Sequence, residues 1–458
     1  MFLFLPFIFL TSQAQAADIT IYQDQRALVK EELSFPLKAG ISNTPPIPVP
    51  WGFKPSSVLI SPKDIGNKAA ALEQNFFGGW TNPTEILEQF IGKEVELKEN
   101  KKSKTLKGIL LEARDNLTAL KVGHHVYLNP QGTWVIPSLP KEGFNPSVSW
   151  KMKAENSGQY LFEFSYLTQD LSWQANYAAV INDSSNLMDL RIWADLDNQS
   201  GIDFKKAHIL LVAGEPHQAL PAAARPRPLF RAMAAAPQAI IDNSQNLFEY
   251  HLYSLPSFVH LKKGSVRVSM GEAFQVPVKK IYRYDSSDLN GNFSAYTRVN
   301  PDYGANSQGE VKVIFRLKNT KASNLGFPLP PGKIRVYQKD KSGSLEWLGS
   351  DSLPATPRNE KLSVAVGGAF DVLGQRKRVL FETGPKKTKE GFEITLTNRK
   401  NSDVSVKVIE HLYRWSKWKI VSSDQKWKKK DAQTIVFEIP VKKNSSSKID
   451  YTVEYSWR

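Results

Sequence analysis

A two-residue alternation of apolar and polar side chains runs through almost the whole chain. It is carried by Ile19 and Ile21, by Leu33, Phe35 and Leu37, and by Leu190, Ile192, Ala194 and Leu196. It returns at Val311, Val313, Phe315 and Leu317, at Val404, Val406 and Val408, and at Ile435, Phe437, Ile439 and Val441. The last run is Ile449, Tyr451, Val453, Tyr455 and Trp457. Successive side chains of a strand point to opposite faces, so each run buries one face and wets the other. Asp340-Lys341-Ser342-Gly343 and Asn398-Arg399-Lys400-Asn401 read as turns, the second as a hairpin between Phe392–Leu396 and Val404–Val408. Many such strands point to an all-β fold built of β-sandwich domains.

One segment breaks the period. Asn82 can cap a helix, Pro83 suits its first position, and Glu85 completes a capping-box-like pattern. Ile86, Leu87, Phe90 and Ile91 supply one apolar face before Gly92 ends the element. Short apolar runs at 95–97, 106–111, 117–122 and 126–128 follow, with polar tips at Asn100–Lys104 and Asp115-Asn116. This predicts one short helix and a small Sm- or SH3-like barrel over 81–140. Residues 17–80 then form an N-terminal β segment, and 145–458 a β-sandwich region. Within that region, Ala219 to Gln238 reads ALPAAARPRPLFRAMAAAPQ, an aperiodic stretch expected to be a long loop or a docking segment.

Residues 1–16 read as a secretory leader: an apolar run of about ten residues, then Ala14-Gln15-Ala16. No Lys or Arg precedes the run. No later stretch reaches the 18 apolar residues expected of a membrane span. The chain has no Cys, which removes disulfides, zinc–thiolate sites and thiol nucleophiles together. The expectation is a periplasmic or secreted protein, with no transmembrane span after leader cleavage, that folds on its core alone.

Catalytic signatures are sparse. There is no Gly-x-Ser-x-Gly elbow, P-loop, dinucleotide fingerprint or His-Glu-x-x-His. The paired His124 and His125 would point to opposite faces of a strand. Asp195, Asp197 and Asp203 are the best acidic cluster. They allow a glycan-acting enzyme or a calcium-dependent carbohydrate-binding protein as the alternative reading. An ordinary calcium loop fails, because Ser200 and Lys206 stand where Gly and Glu are needed. Asp203 also suits a structural role, capping the turn before Phe204.

The charge is more informative. Sixty Lys and Arg face 45 Asp and Glu, a net of +15. From 386 to 443 the chain has 15 basic against 7 acidic residues, a net of +8, peaking at Lys428-Lys429-Lys430 beside Trp415, Trp418 and Trp427. Lys417, Lys419, Lys428, Lys429, Lys430 and Trp418 are the candidate binding face. Its expected partner is an anionic envelope component: lipid headgroup, lipopolysaccharide or acidic glycan. An envelope protein is the other possible partner, and nucleic acid is not expected. The plainer reading is a solvated, edge-protecting strand face.

Ile19–Glu31 reads as an opening strand, and Leu171-Ser172-Trp173-Gln174-Ala175-Asn176-Tyr177 carries a Trp-x-x-x-Tyr pattern. Asn198-Gln199-Ser200-Gly201-Ile202-Asp203-Phe204, running on to Gly214-Glu215-Pro216, carries an Asn-x-(Ser/Thr)-Gly-x-Asp pattern. Leu325–Lys333, Gly349, Thr356-Pro357, Glu360 and Val366-Gly367-Gly368-Ala369-Phe370-Asp371 are the most specific stretch. In this order they resemble a bacterial exported family of unknown function, domain-of-unknown-function family 4139, to which mucoidy-inhibitor-like proteins belong. Phe204 stands where Trp is common. The coiled coil that many members place after the first strands is missing, and the helix-and-barrel segment occupies its place. The resemblance implies an all-β fold and an envelope setting, with no catalytic residues to carry over. The expectation is therefore a non-enzymatic binding or scaffold protein with no cofactor and no metal. Gly201 and Gly332 are expected at positive φ, and Trp150 and Trp173 in the core.

Overall fold

The computed structural model describes residues 17–63, 68–99, 105–114, 116–138, 144–214, 244–247, 250–285, 300–301 and 306–457. The expected leader, the loop at 219–238 and the charged tip at 100–104 lie outside the described residues. Among those residues the fold is all-β, with one α-helix and two 3₁₀ turns. Contacts divide the chain into two units that interleave along the sequence. One holds the described residues up to Trp173 with those of 195–225 and 245–268; the other holds those of 174–194 and from Ser269 onward.

In the first unit, strand Asp18–Tyr22 lies between Phe204–Ala213, which it pairs in parallel, and Arg26–Leu37, which it pairs antiparallel. Arg26–Leu37 in turn pairs along its full length with Gly158–Gln169. A second sheet is built on Ser147–Ala154 with Gly40–Asn43, Ile47–Pro48 and Ala69–Phe77. The aromatic side chains close the space between the sheets. Trp150 from the second sheet meets Phe35 and Phe164 from the first, at ring separations of 6.2 and 5.2 Å. Trp150 and Trp173 are both buried, and their indole N–H groups donate to Gln74 and to the Val212 carbonyl. Both are core residues, as expected.

The helix α1 (Pro83–Glu88) begins as its sequence requires. Asn82 Oδ1 accepts from the Thr84 and Glu85 amides, and Glu85 accepts in return from the Thr81 amide. Five strands follow it, in the spatial order His125–Leu128, Leu117–Val122, Thr105–Arg114, Glu94–Glu99, Gly132–Val135. Each is joined to the next as a meander except the last, which returns to pair the first. Leu87 and Phe90 from the helical segment pack on Val95, Leu97, Leu106, Leu110 and Leu120.

The second unit is dominated by a nine-stranded sheet. Its strands are β1 (Lys279–Asp285), β2 (Asn306–Lys318), β3 (Lys361–Gly384), β4 (Lys387–Asn398), β5 (Val404–His411), β6 (Trp418–Ser423), β7 (Trp427–Asp431), β8 (Thr434–Val441) and β9 (Ser445–Ser456). The order across the sheet is β6-β9-β4-β3-β2-β1-β5-β8-β7. The sheet folds over on itself. Phe392, Ile394, Tyr451 and Val453 from one arm share a core with Val406, Val408, Ile435 and Phe437 from the other. In the same unit, residues 175–181 pair in parallel with strand Gly332–Lys339, which forms a hairpin with Leu345–Leu353. Asp340 Oδ1 fixes that turn by accepting from the Ser342 and Ser344 amides.

Three local expectations are corrected. Residues 398–401 do not join a hairpin: β4 pairs β3 and β9, whereas β5 pairs β1 and β8. The loop crosses from one arm to the other. Gly332 does not have a positive φ; a Cβ there would lie 2.1 Å from the Ala175 carbonyl, so close parallel pairing demands the glycine. Gly201 does, at +85°, with Trp51 against it. Asp203 does not cap its own turn but accepts from the Lys263 amide on a neighbouring segment.

Candidate functional site

The two edge strands of the nine-stranded sheet, β6 and β7, carry the lysines singled out from the sequence. Opposed residues of paired strands face the same side. Trp418 and Ile420 therefore face inward with their partners Tyr455 and Val453. Trp427 and Lys429 share the side of their partners Phe437 and Ile435 but remain exposed. The fold of the sheet brings these edges together, because Trp418 meets Trp427 edge-on at 6.3 Å. The Trp418 indole donates to the Ala432 carbonyl at 2.8 Å, and the Lys429 ammonium lies 5.0 Å above its ring. Trp418 packs against the core and is half-buried. Its first role is to seal the seam between the two edges, with Lys429 as a cationic cover.

Lys419 points outward opposite Glu454, and Lys428 outward opposite Val436. Lys417, Lys419, Lys428, Lys429 and Lys430 are exposed, and no salt bridge among the described residues uses any of them. The structure thus assembles all six candidate residues into one basic, aromatic seam. The sequence placed the lysines near one another along the chain; only the fold shows that two separate strands meet there.

The acidic cluster is organised differently. Asp195 forms a two-pronged ion pair with Arg267, at 2.5 and 2.8 Å. Asp197 accepts from the Ser265 hydroxyl and the Gln199 amide, and Asp203 from the Lys263 amide. Each carboxylate is turned to its own neighbour. Among the described residues, no group of three or more His, Asp or Glu is placed to hold a metal ion.

Sequence reasoning missed a buried ionic network under the sheet. Glu390, without exposed surface, takes Arg414 through Nε and Nη2 at 2.8 Å each, Arg378 at 3.3 Å and the Tyr413 hydroxyl at 3.2 Å. Glu410, equally buried, takes Arg376 Nε at 3.1 Å and the Tyr451 hydroxyl. The Arg376 guanidinium stacks 3.5 Å from the Phe392 ring centre. Burial works against the charge on Arg376, but the Glu410 carboxylate and Tyr451 more than offset it, so its pKa rises. Burial, and then Glu390, push the Tyr413 hydroxyl up. At the edge of this region His411 sits 3.1 Å from Asp285, whose hydrogen bond raises the imidazole pKa. The available signal was weak: charged residues at the inward positions of otherwise alternating strands.

Three buried asparagines were also missed. Asn198 donates to the Ile202 and Leu261 carbonyls, and Asn398 to those of Ser402, Val441 and Lys442. Asn319 donates to those of Phe327, Thr356 and Pro357. Each also accepts from a backbone amide of its own loop. They staple strand ends to neighbouring segments and leave no polar atom for a ligand.

A search of curated proteins finds no match to this chain. The model of the family described as a domain of unknown function, DUF4139, matches residues 162–458. It takes in the Trp173–Tyr177 strand, the Asn198 turn, the 325–333 segment and the whole nine-stranded sheet. The match covers well over half of the chain, which belongs to the DUF4139 family.

Proposed function

We propose that this chain is a non-enzymatic binding protein of the cell envelope, periplasmic or secreted, whose β6–β7 seam holds an anionic envelope component. The observation that carries the reading is the exposed set Lys417, Lys419, Lys428, Lys429 and Lys430. It is gathered from two edge strands around Trp418 and Trp427, with no salt bridge to offset it among the described residues. Exposed ammonium groups at spaced positions suit phosphates or carboxylates repeated along a polymer or a lipid surface, where each is worth about 1 kcal/mol. The partly exposed Trp427 indole adds apolar surface for a sugar ring or acyl chain. The leader-like residues 1–16 and the exported character of the resembling family support the envelope setting.

The test is binding of lipopolysaccharide and of an acidic polysaccharide to the wild type and to the K428Q/K429Q/K430Q variant. Losing three such charges is expected to weaken binding about a hundredfold. The D195N/D197N variant should bind as the wild type does. Equal binding by the triple variant, or loss confined to D195N/D197N, would contradict the proposal.

A further inference from the structure

Phe370 is 95 % exposed, the most open of the large apolar side chains among the described residues. A single exposed apolar residue usually means little. This one is presented by a built excursion. Lys312 of β2 pairs Gly368 and Glu310 pairs Leu373, so Val311 alone stands opposite four residues of β3, 369–372. The excursion is anchored from below: Val372 is fully buried and Ala369 packs on the core. The Asp371 carbonyl accepts from the Arg399 amide at 2.7 Å. Gly367 has a φ of +152°, and a Cβ on Gly368 would collide with the Glu310 carboxylate. The Val366-Gly367-Gly368-Ala369-Phe370-Asp371 stretch thus has a mechanical meaning: it forms a wide bulge within β3 that exposes a bare phenyl ring.

The surroundings of that ring are basic. The crossing loop at 399–403 meets its neighbour Asp371: the Arg399 amide donates to the Asp371 carbonyl, and Lys400 reaches the Asp371 carboxylate at 3.9 Å. The Asn444 amide donates to the Lys400 carbonyl, bringing in Lys442 and Lys443. Lys280 is close enough to Lys400 for that neighbour, behind burial, to lower its pKa. Five basic groups thus collect against three carboxylates, Asp371, Asp403 and the Glu310 beside Gly368; Lys400 pairs Asp371 and Lys442 pairs Asp403. Leu373, more than half exposed, adds apolar surface beside the tip. The β strands place this cluster at the end of the sheet opposite the Trp418 seam: Val372 and Ser445 pair Asn398 at one end of β4, while Gly384 and Ser456 pair Lys387 at the other.

We propose that the 368–371 excursion is a membrane anchor, in which Phe370 enters the interface of an anionic bilayer while Arg399, Lys400, Lys443 and Lys280 meet its headgroups. A projecting apolar tip inside a cationic collar matches a surface that is negative outside and apolar beneath. A protein partner would need a wider apolar patch than one ring and one Leu. The seam reading does not require this anchor, and the anchor does not require the seam.

The experiment is co-sedimentation with phosphatidylcholine vesicles with and without phosphatidylglycerol. The wild type should bind the anionic vesicles, and F370A about tenfold less while keeping the wild-type melting curve. The R399Q/K443Q variant should lose the preference for phosphatidylglycerol. F370W should gain, over the wild-type background, emission quenched by brominated lipid. Equal binding by F370A, unquenched F370W emission, or a wild type that ignores vesicles would overturn the anchor; the last is what a protein partner would give. If K428Q/K429Q/K430Q loses vesicle binding while F370A does not, the anchor falls and the seam stands. The reverse pattern keeps the anchor and removes the seam from lipid binding.

Discussion

Glu390 and Glu410 show what a carboxylate requires when it is removed from water. Each meets an arginine and a tyrosine hydroxyl, and the arginines are themselves stacked on aromatic rings. Removing one partner of a buried pair leaves the other uncompensated, which costs roughly 3–5 kcal/mol. E410A should therefore lower the denaturant midpoint of the second unit sharply. K428Q, on an exposed edge, should stay within about 0.5 kcal/mol of the wild type. Glu31 makes a separate test by pH. Burial raises its pKa to about 7 from 4.5, against a lowering hydrogen bond from Tyr166. Below pH 4.5 both folded and unfolded chains hold the proton. Between 4.5 and 7 only the unfolded chain releases it, so stability falls as pH rises and the loss is complete above about 7. E31Q should match the wild type in acid. It should exceed the wild type by about 2 kcal/mol at pH 8, a figure reduced for the solvent that still reaches this partly buried group. Parallel pH–stability curves for the two proteins would refute this.

Elements differ in how far their sequences announce them. The cap of α1 was readable because Asn82, Pro83 and Glu85 act within one turn. Strand faces were readable because alternation assigns inside and outside residue by residue: Phe392, Ile394 and Leu396 are buried as that pattern requires. Pairing was not readable, since alternation says which face is apolar but not which neighbour covers it. The 398–401 loop looked like a hairpin for that reason; its turn residues are the same whether the chain returns or crosses. Asn398 makes the crossing secure by holding the end of β8. N398A should cost about 2–3 kcal/mol by stranding buried carbonyls, and N398D should not rescue it, because the carboxylate keeps the acceptor and lacks the donors. Rescue by N398D would assign the role to the acceptor instead. The meeting of Trp418 with Trp427 was hidden for the same cause as the crossing: both depend on how the sheet folds over.

At the scale of the whole molecule, an excess of 15 positive charges sets a long-range field, and the fold decides where it is concentrated. Part of the basic surface is neutralised in pairs such as Lys448–Glu393 and Lys151–Glu73. The β6–β7 seam is not, which is why it carries the proposed function. An interaction made by exposed charges is screened by salt, whereas a reaction in a buried site is not. The most direct measurement is the affinity of the wild type and of K428Q/K429Q/K430Q for lipopolysaccharide over a series of salt concentrations. Affinity should fall steadily as salt rises, and the triple variant should bind more weakly with a shallower slope. Binding that is indifferent to salt, or two proteins with the same slope, would contradict the account.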